Sequence, residues 1–443
     1  MQKENSKRIT IFTTFSEISE AYSLNRVVQD QLKMLLNSGY TPSVIVADSF
    51  EASGIYADPR VTLKRIPFVS VHNEVKKDET FDDDIKVLEL SLEEVLKDTD
   101  VVITHDVIYQ PAALKHNVAA RRVAEKLPGL TWLHWIHSAT SPMTLINLKP
   151  YFEEEYVNLL TKPFPNAYYV FFNHYSIPRI AEEFGVSQEV VRVVHHPSDL
   201  KEVFGLSDDI SEFVNKKKIY EADAICVYPI RLDRGKQVEH VIRTMACMKD
   251  FNLSVKIIIV DFHSTGGDKV TYRDELKAMA IDWGLNQDEL IWTSEYKDEW
   301  HAEIPHTDVT ALMRLANVFI MPSKSESYSL ITQEAGLNKS VVVLNFDFPP
   351  FRDIFGPNAI YRKYSSNIDI MNGMSGNTNT AYGPGNASDQ ERHNHERKYH
   401  TETAGMIANK LLTYKDLALS IFLRKYRNLN YVFKNELEPL FYE

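Results

Sequence analysis

Short apolar runs of strand length alternate with longer segments of helical period along most of this 443-residue sequence. Residues 8–13 form the first such run. Leu24, Val27, Val28, Leu32 and Leu35 then recur at helical spacing, Gly39 supplies a stop, and residues 41–47 form a second run. That is a βαβ opening. Strands are predicted again at 100–106, 130–137, 167–173 and 190–194, with a helix over 112–126. Residues 199–222 are charged, lack a deep apolar period and read as a linker with a short helix. The alternation then restarts: strands at 224–230, 255–260, 289–293, 317–321 and 340–345, and helices at 238–248, 272–283, 308–315 and from Ile331 to Leu337. A chain of this kind is α/β, with a parallel sheet covered on both faces. Its length exceeds one ordinary core, so two Rossmann-like domains are expected: residues 1–200, a linker over 201–222, and residues 223–420.

Residues 365–400 break the pattern. Asn, Gly, Ser and His dominate there, and the stretch reads as a flexible insertion. His393, His395 and His400 lack Cys or carboxylate companions at ligand spacing, so no metal site is assigned. From Thr401 the chain returns to helix and ends in an aromatic, basic tail over 424–442. Cys226 and Cys247 sit in a predicted strand and a predicted helix and read as buried thiols. The densest acidic stretch, 78–100, reads as a solvated loop and helix face. The net charge of −12 opposes bulk attraction to nucleic acid or anionic lipid. No run has the apolar length of a membrane span, and the start lacks a signal peptide's apolar core, so a cytoplasmic location is expected.

The chemistry concentrates at predicted strand exits. Glu326 and Glu334 lie eight positions apart in a small-residue turn between the strand 317–321 and the following helix. Open α/β sheets bind ligands at such places, and helix amides there can receive phosphate. Arg231 and Lys236 follow the strand 224–230, where two cations can neutralise a pyrophosphate and stabilise it as a leaving group.

In this order the residues resemble the donor-binding domain of GT-B glycosyltransferases, specifically the large retaining family 4. The resemblance runs from about residue 222 to 356, more faintly over the first half. Arg231 and Lys236 match the family's diphosphate-holding Arg and Lys, although Gln237 replaces the usual Gly. Glu326 and Glu334, with Pro322-Ser323 before and Ala335 after, match its Glu-x7-Glu signature. The resemblance places Glu326 by the donor sugar and phosphate, Glu334 on the ribose hydroxyls, and the amides of Tyr328, Ser329 and Leu330 towards phosphate. Tyr328 or Ser329 stands where the family usually has Gly. Residues 294–296, ending in Tyr296, correspond to the base-lining strand exit. Pro349-Pro350 stands in place of paired glycines, which puts sugar contacts through those amides in doubt. In the first half, Trp135-Ile-His137 matches the strand that ends in a histidine near the donor sugar; His134 is read as structural. Residues 194–199 resemble the hinge ending in Asp. The family's glycine-rich acceptor loop has no counterpart over 14–20.

The resemblance implies a GT-B fold, two domains facing across a cleft, with a C-terminal helix (421–443) packing back on the N-terminal domain. It implies a retaining transfer from a nucleotide-diphosphate sugar, a UDP-sugar foremost, to a hydroxyl acceptor: glycan, lipid-linked or small molecule. Glu326, His137, Arg231 and Lys236 would carry catalysis, and Arg231, Lys236, Glu334, Ser329, Leu330 and Tyr296 the donor, with no tightly bound cofactor and no required metal. Three alternatives stay open: transfer to hydroxymethylated DNA bases, a nucleotide-sugar epimerase, and a partner subunit without turnover. The basic helix at 115–126 permits the first, and the acidic balance opposes it. Acceptor and oligomeric state are not legible.

Overall fold

The computed structural model describes residues 7–19, 23–67, 79–137, 158–160, 162–262, 269–323, 326, 328–364 and 388–443. They form two compact units, one of Met1–Asp199 with Arg427–Glu443, the other of Leu200–Tyr426.

The first unit carries a seven-stranded sheet: β1 (Ile9–Phe12), β2 (Ser43–Ala47), β3 (Thr62–Ile66), β4 (Val101–His105), β5 (Thr131–Trp135), β6 (Ala167–Phe171) and β7 (Val191–Val193). The order is β3-β2-β1-β4-β5-β6-β7, and every pairing is parallel. Its helices are α1 (Ser23–Asn37), α2 (Phe81–Leu96), α3 (Leu114–Lys126) and α4 (Ile177–Glu183). Two apolar layers cover the sheet. One is built on Leu24, Val28, Leu32 and Leu35 of α1, the other on Leu88, Leu92, Ala119 and Val123 of α2 and α3. The central strands β1, β4 and β5 are buried on both sides, as a parallel sheet requires.

The second unit begins at α5 (Leu200–Phe204) and α6 (Asp208–Lys216). Its sheet comprises β8 (Ala224–Arg231), β9 (Val255–Phe262), β10 (Leu290–Trp292), β11 (Val318–Met321), β12 (Val341–Asn345) and β13 (Ile360–Arg362), in the order β10-β9-β8-β11-β12-β13, again all parallel. Between and after these strands run α7 (Val238–Cys247), α8 (Lys269–Asp282), α9 (His306–Leu315), α10 (Leu330–Leu337), α11 (Pro349–Phe355), α12 (Asp389–Thr413) and α13 (Lys415–Tyr426). Both sheets reverse their winding once, between β1 and β4 and between β8 and β11, so both units are Rossmann-like.

Five segments differ from the sequence reading. Residues 201–222 are not a free linker: Ile210, Phe213, Val214 and Ile219 are fully buried in the second core, because α6 is amphipathic over too few turns for its period to stand out. Within 365–400, residues 365–387 lie outside the described residues, and the rest is helix. Ser388 caps α12 in a reciprocal box with Glu391, and this local closure starts a helix that the polar composition hides. The end of the chain is not one helix over 421–443. α13 stays in the second unit, and α14 (Leu429–Val432) with irregular turns to Phe441 packs in the first. There Phe433 and Phe441 set their edges on Tyr40, whose hydroxyl donates to Glu438 at 2.8 Å. Ser198 donates to the carbonyl of Arg427 at 2.6 Å, so the two passages of the chain are tied where they leave and re-enter that unit. Finally, the sequence reading omits β3 and β13, which are short edge strands.

The acidic stretch expected at 78–100 is largely α2, and it has a partner. Lys115 pairs with Asp84, Arg122 with Glu89, and Lys126 with Glu89 and Glu93, while Arg121 is buried against the carbonyls of Leu159, Lys162 and Pro163. The basic helix therefore meets carboxylates of its own chain. Cys226 and Cys247 are both buried.

Candidate active site

In an open α/β sheet, ligands bind beyond the strands' carboxyl ends at the point where the winding reverses. In the second unit that point lies between β8 and β11. β8 ends at Arg231, whose Nε donates to Asp233 at 3.2 Å and whose side chain is 61% exposed, which leaves the guanidinium open to an arriving anion. A short turn over Arg234–Lys236 follows, and Lys236 Nζ pairs with Glu326 Oε1 across 90 positions of sequence. The buried Tyr228 anchors the turn, its hydroxyl donating to the carbonyl of Lys236 at 3.1 Å. Gln237, where the resembled family has Gly, adopts φ 50°, a left-handed conformation that its side chain strains.

β11 leads to the second half of the cluster. The side-chain amide of Asn345 donates to the carbonyl of Ser323 at 3.1 Å and pins the strand exit next to Glu326. Ser329, the second position where the family favours Gly, also takes a left-handed φ, 68°. Its hydroxyl bonds that of Thr332 at 2.8 Å, and α10 starts at the exposed Leu330. Amides at a helix start lack intrahelical acceptors and can face an anion. One turn on, Glu334 has Oε2 buried with no hydrogen-bond partner among the described residues, while Oε1 lies 4.0 Å from His306 Nε2. A buried, unsatisfied carboxylate oxygen is costly unless a ligand completes it. Ser325 and Ser327 of the signature lie outside the described residues.

The base-lining segment is engaged within its own unit. Ser294 donates through its amide (3.1 Å) and its hydroxyl (2.6 Å) to Asp261 at the end of β9. Tyr296 sets its ring edge-on against Phe213 at 4.8 Å and packs on Trp300 at 5.3 Å, while its amide donates to the carbonyl of Thr293 at 3.1 Å. Asp261 has no place in the sequence reading, because a lone aspartate at a strand end carries no spacing signal. Pro349 and Pro350 open α11, where the missing N–H groups are not needed by the helix.

In the first unit, His137 follows β5. Its amide donates to the hydroxyl of Tyr109 at 3.0 Å, and its Nε2 lies 2.9 Å from Nδ1 of His105 at the end of β4. Nε2 of His105 in turn meets Oε1 of Gln31 on α1 at 2.8 Å. The ring of His196 stacks on that of His137 at 6.0 Å. Burial, then the neighbouring His196, lowers the pKa of His137 to about 3, and burial holds His105 and His196 below the ordinary imidazole range as well. These rings are neutral at physiological pH. His134, read as structural, is fully buried, with Nδ1 on the hydroxyl of Thr104 at 2.8 Å. Gln31 and His105 escaped the sequence reading, since only the adjacency of α1, β4 and β5 gives them meaning, and His196 lies in the segment read as the hinge. The hinge residues are tied locally: Asp199 to Lys33 at 2.8 Å, and the amide of His195 to Glu436 at 2.8 Å.

Among the described residues no group of three His, Cys, Asp or Glu side chains could hold a metal ion. Of His393, His395 and His400, the last is buried in α12 with Nδ1 on the hydroxyl of Thr244 at 2.9 Å, and His393 packs by Trp283. No described helix is long and apolar enough to cross a membrane.

Residues 209–364 match the model of the family "Glycosyl transferases group 1". Among solved structures, the chain is similar to a glycosyltransferase from Rickettsia africae ESF-5 (13% identity, 99% of this chain and 98% of that one, TM-score 0.35). It is likewise similar to HepE from Anabaena in complex with UDP (13% identity, 98% and 99%, TM-score 0.32). A third similar structure is the lipopolysaccharide outer core galactosyltransferase WaaB (14% identity, 98% and 99%, TM-score 0.35). No curated protein matches the sequence. The matched segment holds Arg231, Lys236, Glu326 and Glu334 at the switch point of the second sheet, and over that segment the chain is similar to the group 1 glycosyltransferases.

Proposed function

We propose that this glycosyltransferase takes its sugar from a nucleoside-diphosphate donor, a UDP-sugar foremost, and passes it with retention to a hydroxyl acceptor. The observation that carries the reading is the cluster at the switch point: two cations, two carboxylates and a helix start on one edge, with a buried oxygen of Glu334 left without a partner among the described residues. Arg231, Lys236 and the amides of Ser329 and Leu330 meet the diphosphate, so a metal is not required for its charge. Glu334 offers acceptors to the two ribose hydroxyls. Tyr296 borders the base through its main chain and packing. Glu326 orders the donor sugar and its phosphate, and His137 is assigned to a sugar hydroxyl.

In the transfer, the bond from the anomeric carbon to the diphosphate oxygen breaks and a bond to the acceptor oxygen forms. The acceptor's proton passes to the leaving diphosphate, which departs held by Arg231 and Lys236. Attack on the face that the leaving group vacates gives retention, a feature that rests on the family resemblance. Lys236 and Glu326 neutralise each other before the donor arrives. A diphosphate that draws Lys236 away frees Glu326 for the sugar. The carboxylates facing the basic helix at 115–126 argue against a DNA acceptor; glycan, lipid-linked and small-molecule hydroxyls remain the acceptor classes.

The test is a thermal-shift screen across nucleoside diphosphates and their sugars. A bound ligand at about 100 times its Kd adds ~2.7 kcal/mol of stability. Uridine diphosphate is expected to raise the midpoint, and Glu334→Ala to abolish that rise. Silence towards every nucleoside diphosphate would refute the reading.

A further inference from the structure

His137 reaches its neighbours through a line of buried groups on three elements: Gln31 of α1, His105 of β4, then His137 beyond β5. The direction of the protons along it follows from the chemistry of the first member. An amide oxygen only accepts, so His105 carries its proton on Nε2, 2.8 Å from Oε1 of Gln31. A neutral imidazole with its proton on Nε2 has a bare Nδ1. That lone pair faces Nε2 of His137 at 2.9 Å, so Nε2 of His137 must be the donor there. Nδ1 of His137 is then bare as well, and it makes no hydrogen bond among the described residues. The surroundings keep the rings neutral. Gln31 and His105 are 1% and 3% exposed, and the stacked His196 would repel a second proton. The peptide of His137 is held separately by the Tyr109 hydroxyl, which itself donates to Asp106.

We propose that Gln31 and His105 are positioning residues that lock His137 in its Nε2–H tautomer, so that its Nδ1 presents a lone pair to a donating hydroxyl of the transferred sugar. This rests on the assignment of His137 to the donor sugar. The opposite tautomer would present an N–H where the hydroxyl needs an acceptor, and an imidazole without a fixed partner populates both forms. No proton leaves the line during transfer. Its role is to keep one ring orientation and one tautomer ready.

The experiment is 15N–1H correlation on histidine-labelled enzyme, in which protonated and bare ring nitrogens are separated by their 15N shifts, with the signals assigned from single His→Gln variants. Wild type is expected to show His105 and His137 both protonated on Nε2. Gln31→Leu removes the acceptor and should mix the tautomers of both rings, while kcat with donor sugar falls about three- to tenfold, the scale of one hydrogen bond, and KM changes little. Gln31→Glu restores an acceptor at the same place, and should return both rings to Nε2–H and recover kcat relative to Gln31→Leu. Thermal midpoints of both variants control for folding. A wild-type His137 protonated on Nδ1, or tautomers that ignore the change at Gln31, would overturn the proposal. So would mixed tautomers in Gln31→Leu with undiminished kcat. Failure of the functional reading shows elsewhere, as wild-type enzyme that binds no nucleoside diphosphate while its tautomers stay ordered.

Discussion

The candidate residues of the second unit are charged and partly exposed, whereas those of the first are neutral and buried. Lys236 and Glu326 keep 22% and 17% of their side-chain surface and face each other as an ion pair. His105 and Gln31 are almost wholly enclosed, and the imidazoles around them are held unprotonated. The two arrangements suit different tasks. A diphosphate needs full charge that can exchange one partner for another, and a pair that still reaches solvent can make that exchange. A sugar hydroxyl needs a hydrogen-bonding group of fixed direction, and a buried network supplies direction at the expense of adaptability.

The largest expected effect separates the two directly. Lys236→Ala removes a leaving-group contact and leaves Glu326 uncompensated, so kcat/KM should fall about 10²–10³-fold. His137→Ala should cost only about tenfold, the scale of one hydrogen bond. Equal losses in steady-state assays would break the contrast. Acid should divide the units next. The folded pKa of His137 lies near 3, below the ordinary 6.5, so the unfolded chain binds the proton first. Stability from this group is therefore complete above pH 6.5 and is lost as pH falls towards 3, by about 1.4 kcal/mol per pH unit. His105, His134 and His196 shift in the same direction in the first unit, against His400 in the second. Calorimetry between pH 7.5 and 5.5 should show the first unit's transition dropping further than the second's. If both drop alike, burial of imidazole is not what distinguishes them.

A smaller effect sharpens the second unit. Glu334→Gln keeps the shape but loses the double acceptor, so affinity for uridine diphosphate should fall about five- to tenfold in titration calorimetry. The preference over its 2′-deoxy analogue should shrink with it. Smallest of all is Arg234→Ala. This cation sits within the same turn as Lys236 but points to Glu275 with both partners well exposed. It should change kcat/KM by less than about twofold, in contrast to Arg231→Ala, where the loss should approach that of Lys236→Ala.

Legibility followed the same division. Arg231, Lys236, Glu326 and Glu334 stand at strand exits in short local patterns, and a strand exit is recognisable from the run before it. Gln237 and Ser329, which stand where the resembled family favours glycine, both take left-handed conformations. Nothing local marks Gln31 or His105. Each is an ordinary polar residue in its own element, and the line they form with His137 appears only when α1, β4 and β5 lie side by side. The same limit explains residues 201–222. Ile210, Phe213 and Val214 make a short apolar face among charges, and only the core it meets reveals it as packed structure.

What the amino-acid order determined by itself is the α/β alternation, the parallel sheets that alternation demands, and the charged exits of β8 and β11. These follow from periodicity and from the chemistry of neighbours in the chain. Tertiary structure alone decided the pairing of Lys236 with Glu326, the unsatisfied oxygen of Glu334 and the tautomer line ending in His137. Each depends on distance between residues far apart in sequence and on the exclusion of water, and neither quantity exists before the sheets are assembled.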